Sequence, residues 1–208
     1  MPDFPTLTVF LIAALSLNIT PGPDMLYVIT RSLGQNRTAG IISALGIGGG
    51  TIIHTIAVAA GLSALLFSVP IAFDAVKYIG ALYLVYIGIK TLRQKKSFLQ
   101  TQVKRAGMWQ IFRQGVITNV FNPKVALFFI AFLPQFVDSS RGNTFWQIII
   151  LGFLFNVSGT TVNIGVAILS SIAGSLLKTN SAFGIFQRRL TGGIFIALGI
   201  RLALVENR

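Results

Sequence analysis

The chain has 208 residues, 53% of them hydrophobic and only 11% charged, with a formal net charge of +12 and a mean hydropathy of +0.76. A soluble globular domain carries about 25% charged residues, so the composition excludes one and indicates an all-α integral membrane protein, a single transmembrane domain over 1–208. With no cysteine and one histidine, His54, disulfides, thiol redox chemistry and a His/Cys metal cage are excluded, and no cofactor is expected.

A membrane-crossing helix needs about 20 apolar residues, and six segments reach that length. The first runs from about Phe4 to Leu33. No basic residue precedes it and no small-residue cleavage site follows closely, so it is expected to stay in the mature protein. It is interrupted by "TPGPD", Thr20, Pro21, Gly22, Pro23 and Asp24. Each proline in a helix interior costs roughly 3 kcal/mol, and an ionised Asp at the bilayer centre costs roughly 2.5–3.5 kcal/mol. The stretch reads either as a break inside a span or as a plain turn at the membrane edge.

The second segment, from about Thr38 to Phe67, contains "GIGGG" at 46–50. That run lacks the Gly-x-Gly-x-x-Gly spacing of a dinucleotide loop, and its Gly46-x-x-x-Gly50 spacing suits close helix packing. The third segment runs from about Phe73 to Leu92. A loop at 93–108 joins it to the fourth, from about Trp109 to Val137, which is interrupted at Asn122, Pro123 and Lys124. The fifth runs from about Phe145 to Leu177 and the sixth from about Phe183 to Val205. "NIT" at 18–20 and "NVS" at 156–158 match a glycosylation sequon but lie in apolar sequence. No Walker A motif is present.

Orientation follows from the basic residues. Lys90, Arg93, Lys95, Lys96, Lys104, Arg105 and Arg113 cluster around the 93–108 loop with no acid among them. Arg31, Arg37, Lys178, Arg188 and Arg189 fall on the same side, against Lys77, Arg141, Arg201 and Arg208 on the other. The positive-inside rule makes the basic loops cytoplasmic and, with six spans, leaves both termini outside. The positive charge is thus a topology signal, and no nucleic-acid partner is expected.

Six spans divide into halves of about 1–92 and 109–208, three spans each, which inserts the second half upside down. "GALYLVYIGIKTL" at 80–92 resembles "TGGIFIALGIRLA" at 191–203, and a shift of 100 places Pro23 on Pro123 and Asp24 on Lys124. Interrupted segments at corresponding positions of inverted halves mark a transporter's binding site. A broken helix frees N–H groups that suit a carboxylate and C=O groups that suit an ammonium. An α-amino acid carries both.

Lys124 lies 11 residues after Arg113 and 14 before Asp138, roughly 16–20 Å from either helix end, too far to snorkel. It reads as a cation for a substrate carboxylate or as half of an ion pair with Asp24. Asp24 also suits a coupling proton. His54 reads first as a packing histidine and second as a proton relay. Asn18, Asn119, Asn156 and Asn163 suit either a polar path or bridges between helices.

"NITPGPDML", "SALGIGGGTIIHTIAVAAGLSALL", "GALYLVYIGIKTLR" and "QGVITNVFNPKVALFFIAFLPQFV" together resemble the LysE/RhtB family of bacterial amino-acid exporters. The resemblance implies a small multi-pass inner-membrane efflux protein, with exchange for protons as energy source and a homodimer as a plausible assembly. The family's proline-glycine-proline and acidic or amide position fall on Pro21, Gly22, Pro23 and Asp24, and its Asn-Pro-Lys on Asn122, Pro123 and Lys124. The expected function is proton-coupled export of an amino acid or derivative, with Thr20 to Asp24 and Asn122 to Lys124 as the substrate site and Asp24 and His54 in coupling. The rivals are a passive channel and efflux of another small zwitterionic or cationic metabolite. A metal exporter and an enzyme lack the residues they need.

Overall fold

The computed structural model describes residues 3–66, with side chains up to 61, residues 104–172 except 139 and 141, and scattered positions at 78–93 and 189–203. Most of the third and sixth segments, with most of the 80–92 and 191–203 matches, and most of the 93–108 loop lie outside the described residues. Among the described residues every regular element is helical, and there is no strand.

Helix α1, Phe4–Ile19, starts on Asp3, whose carboxylate accepts from the Thr6 N–H at 3.0 Å, an N-cap that satisfies one of the donors a helix start leaves free. Helix α2, Pro23–Gly34, opens with proline at its first position, where a missing N–H does no harm. Helix α3 is Arg37–Leu66 and α4 is Met108–Val120. After a break at 121–122, α5, Pro123–Leu127, is capped by Asn122, whose Oδ1 accepts from Lys124 N at 3.0 Å. Pro134 has no N–H for the preceding turn, and the chain passes through a π turn, Phe128–Phe132, and a 3-10 turn, Leu133–Phe136. Helix α6 is Thr144–Ile172.

Helices α3 and α6 are each long and apolar enough to cross a membrane. The pair α1 and α2, and the pair formed by α4 with Pro123–Phe136, reach that length together, each bent by 48°. The outward faces carry Ile12, Leu15 and Ile19 on α1, Ile52, Ile53 and Ile56 on α3, and Phe153 and Val157 on α6, all exposed. So many large apolar side chains on the outside, with a phenylalanine cluster inside, fit a protein solvated by lipid.

Helix α3 is the central element, packed along α4 and α6. Its contact with α4 runs backbone to backbone. A Cβ on Gly46 would collide with the Phe112 carbonyl oxygen, and one on Gly115 would lie 2.8 Å from Ser43 O. Without a hydrophobic effect between helices in lipid, such close approach is what small residues provide. The main core joins Phe10 and Leu17 of α1 to Phe128, Phe129 and Phe132 and to Leu151 and Phe155 of α6. Phe128 stacks on Phe155 with ring centroids 4.4 Å apart.

Candidate functional site

Two helix breaks meet at one place. Helix α1 stops at Ile19, and its last carbonyls need partners that the helix cannot supply. Pro21 and Pro23 carry no N–H, so the following residues offer few. The partner comes from the other break. The Lys124 ammonium donates to Leu17 O at 3.1 Å and to Thr20 O at 2.8 Å. A cation at a helix C-terminus is also favoured by the backbone dipoles. Lys124 is 6% exposed, so this is a fully desolvated contact. Gly22 lies beside it: a Cβ there would touch Lys124 Nζ at 3.4 Å.

Asp24 stands on the first turn of α2 and is also 6% exposed. Its Oδ2 accepts from Asn119 Nδ2 at 2.8 Å, while its Oδ1 is buried with no hydrogen-bond partner. Lys124 and His54 lie within electrostatic reach of the carboxylate. The Asn122 amide nitrogen lies near it too, but makes no hydrogen bond of its own. Asn119 is the hub. Its Oδ1 takes the Thr51 hydroxyl at 3.4 Å, and its carbonyl lies 3.2 Å from His54 Nε2. The His54 ring stacks on Phe129 at 5.7 Å.

These groups close on a cavity of about 20 Å³, enough for one small group. Its polar lining is Asn18, Asp24, Thr51, Asn119, Lys124, Thr160 and Asn163, and its apolar lining includes Met25, Ile47, Val125 and Phe155. Asn18 ties α1 to α6, donating to Ser158 Oγ at 3.0 Å.

Of the residues singled out in the sequence, Asp24 and Lys124 line this cavity. Thr20 is buried beside them, its carbonyl on Lys124 and its hydroxyl on Ser16 O at 2.7 Å. Asn122 is buried as the α5 cap. Pro21, Gly22 and Pro123 are partly buried, and Pro23 is exposed, away from the cavity. Asn119, Asn18 and Asn163 line the cavity, whereas Asn156 accepts the Thr160 hydroxyl at 3.1 Å. Thr51 and Thr160 were not singled out. A threonine in an apolar helix is commonly self-satisfied by the preceding turn, so type alone does not mark it.

Arg31 was read as a loop residue and behaves otherwise. It is 8% exposed, donating to Gln114 Oε1 at 2.6 Å and to Lys104 O at 3.1 Å. Gln35 makes a reciprocal pair of bonds with Ala106. The far end of α2 is thereby strapped to the segment leading into α4.

The chain is similar to several curated proteins along nearly its whole length. It is 29% identical to the uncharacterized membrane protein YrhP of Bacillus subtilis strain 168, over 96% of this chain and 99% of that one. It is 29% identical to the leucine efflux protein of Salmonella typhimurium, over 95% and 94%. It is 27% identical to the leucine efflux protein of Enterobacter sp. strain 638, over 93% of each. No solved structure matches significantly. The family model for the LysE type translocator matches residues 15–206, which takes in both helix breaks and every polar residue of the cavity. The chain belongs to the LysE type translocator family, and is therefore a membrane transporter rather than an enzyme.

Proposed function

We propose that this transporter exports a neutral amino acid across the bacterial inner membrane in exchange for protons. The observation that carries the reading is the pair of opposite charges on one cavity, each with hydrogen-bonding capacity left over. Asp24 Oδ1 has no partner. The Lys124 ammonium has three donors, and two are used. A zwitterion supplies the complement: its ammonium to Asp24 and its carboxylate to Lys124, supported by the N-terminal end of α2 at Gly22 and by the Asn122–Pro123 turn. Among the described residues no further charged side chain lines the cavity, which favours an uncharged substrate side chain against Met25, Ile47 and Phe155. The leucine efflux proteins among the relatives agree with that choice.

In this reading each bent pair is one broken span. Together with α3, α6 and the third and sixth segments they make six spans, in two inverted halves joined by a cytoplasmic loop. An amino acid is far larger than a cavity of about 20 Å³. Loading therefore needs the halves to move apart, as alternating access requires. Asp24 exchanges its bound ammonium for a proton on the return. A homodimer is compatible with this scheme and not needed by it.

The test is transport by purified protein in liposomes with an imposed pH gradient, over a panel of labelled amino acids, with Lys124→Met as the comparison. Uphill, gradient-dependent movement of neutral amino acids, abolished in Lys124→Met, is expected. Purely downhill flux would make the protein a channel. Undiminished transport by Lys124→Met would remove Lys124 from the site.

A further inference from the structure

The α6 lining of the cavity carries a side chain that the proposed site does not use. Asn163 is 7% exposed, lines the cavity together with Asp24, and its Oδ1 is buried without a hydrogen-bond partner. A buried carboxamide oxygen left unpaired is destabilising. Asp24 Oδ1 is in the same condition. One small cavity is thus lined by two residues that each bury an unpaired acceptor. The third buried atom without a partner among the described residues, Asn122 Nδ2, is a donor near Asp24 but off the cavity lining, and leaves Asn163 without one. Two such acceptors call for one group with several donors. A hydroxyl has a single proton to give, a carboxylate none, and a primary ammonium three.

We propose that the cavity is the subsite for the substrate's primary ammonium group, held jointly by Asp24 from α2 and Asn163 from α6. The proposal rests on the reading that this is the transport site, and adds Asn163 as a specificity-determining residue. It also adds a consequence for selectivity. The cavity, of about 20 Å³, has room for one small group such as an ammonium. An N-methyl substituent needs more room, although its two remaining N–H groups could still serve both acceptors, and a hydroxyl in place of the amine serves only one acceptor. Helices α2 and α6 already touch, with the Ser32 hydroxyl donating to Ala167 O at 2.7 Å, and an ammonium between Asp24 and Asn163 would add a second tie between them.

The experiment measures binding to the purified wild-type protein, by isothermal titration calorimetry, of leucine, N-methyl-leucine and the α-hydroxy acid with the leucine side chain. Leucine is expected to bind about tenfold or more tightly than either analogue, the hydroxy acid losing a bond to a charged group and N-methyl-leucine being opposed by its size. Asn163→Leu is expected to weaken leucine by a similar factor while leaving the hydroxy acid little changed. Asn163→Asp, which keeps an acceptor, is expected to retain leucine binding. Leucine binding by wild type with no preference over the analogues would overturn the proposal without any variant. So would equal leucine affinity in a folded Asn163→Leu protein. Either result leaves the transport reading intact. If wild type transported no amino acid at all, the transport reading would fall, and this inference with it.

Discussion

Replacing Lys124 by methionine removes the charge and the terminal nitrogen but keeps most of the side chain's apolar bulk, so only a small void is left. What is lost are two hydrogen bonds from an ammonium, to Leu17 O at 3.1 Å and Thr20 O at 2.8 Å, each worth about 1.5–3 kcal/mol when one partner is charged. Burial of the ammonium opposes that gain, so the two values do not simply add. Removing one member of a buried charged set costs about 3–5 kcal/mol, because carbonyls at the end of α1 lose their partner and Asp24 loses its nearby cation. For a chain of this size each kcal/mol shifts the melting temperature by roughly 2–4 °C, so Lys124→Met is expected to melt roughly 6–20 °C lower. Asp24→Asn added to it removes the stranded carboxylate, and should recover about 1–3 kcal/mol, the size of coupling seen between neighbouring groups. Thermal unfolding of the detergent-solubilised protein by far-UV circular dichroism measures both. If Lys124→Met melted with the wild type, or the two substitutions were simply additive, the ammonium would not hold the α1 end and would not act on Asp24.

Two further outcomes are expected. Gly46→Ala should destabilise by about 1–3 kcal/mol, as overpacking does, because its Cβ meets the Phe112 backbone. Gly61→Ala, with nothing within 4 Å of the added Cβ, should be neutral or gain about 0.5–1 kcal/mol; paired melting curves compare them. His54→Phe keeps the stack on Phe129 and loses one contact with Asn119 O at 3.2 Å. Transport in liposomes should keep its dependence on the pH gradient, and uncoupled transport by this variant would instead put His54 on the proton path.

Much of the local structure is legible in the chain. Pro23 and Pro123 sit at the first positions of α2 and α5, since a residue with fixed φ and no N–H is best placed there. Asn122 caps α5 with its side chain, a role its residue type favours. Gly46 and Gly50 announce a close helix contact, and the α3–α4 contact is close at both. The partner of each polar group is less legible. Nothing near Lys124 in sequence indicates that its ammonium reaches 104 and 107 residues back to Thr20 and Leu17. Asn119 looked like any of several intramembrane asparagines until it was found between Asp24, Thr51 and His54. Arg31, counted as a loop charge, is buried because Gln114 and the Lys104 carbonyl cover it.

The sequence by itself determined the solvent, the secondary structure and the chemistry on hand. Apolar composition selects lipid, lipid demands that backbone groups be satisfied within helices, and the scarcity of charge in the spans leaves Asp24 and Lys124 as the conspicuous ionisable pair. The tertiary structure decided which of those groups are spent and which are left over. It gave two of the Lys124 protons to α1 and one Asp24 oxygen to Asn119, and left Asp24 Oδ1 and Asn163 Oδ1 without partners. That division depends on which helices touch, through contacts 95 to 107 residues apart in the chain, and no local pattern encodes it.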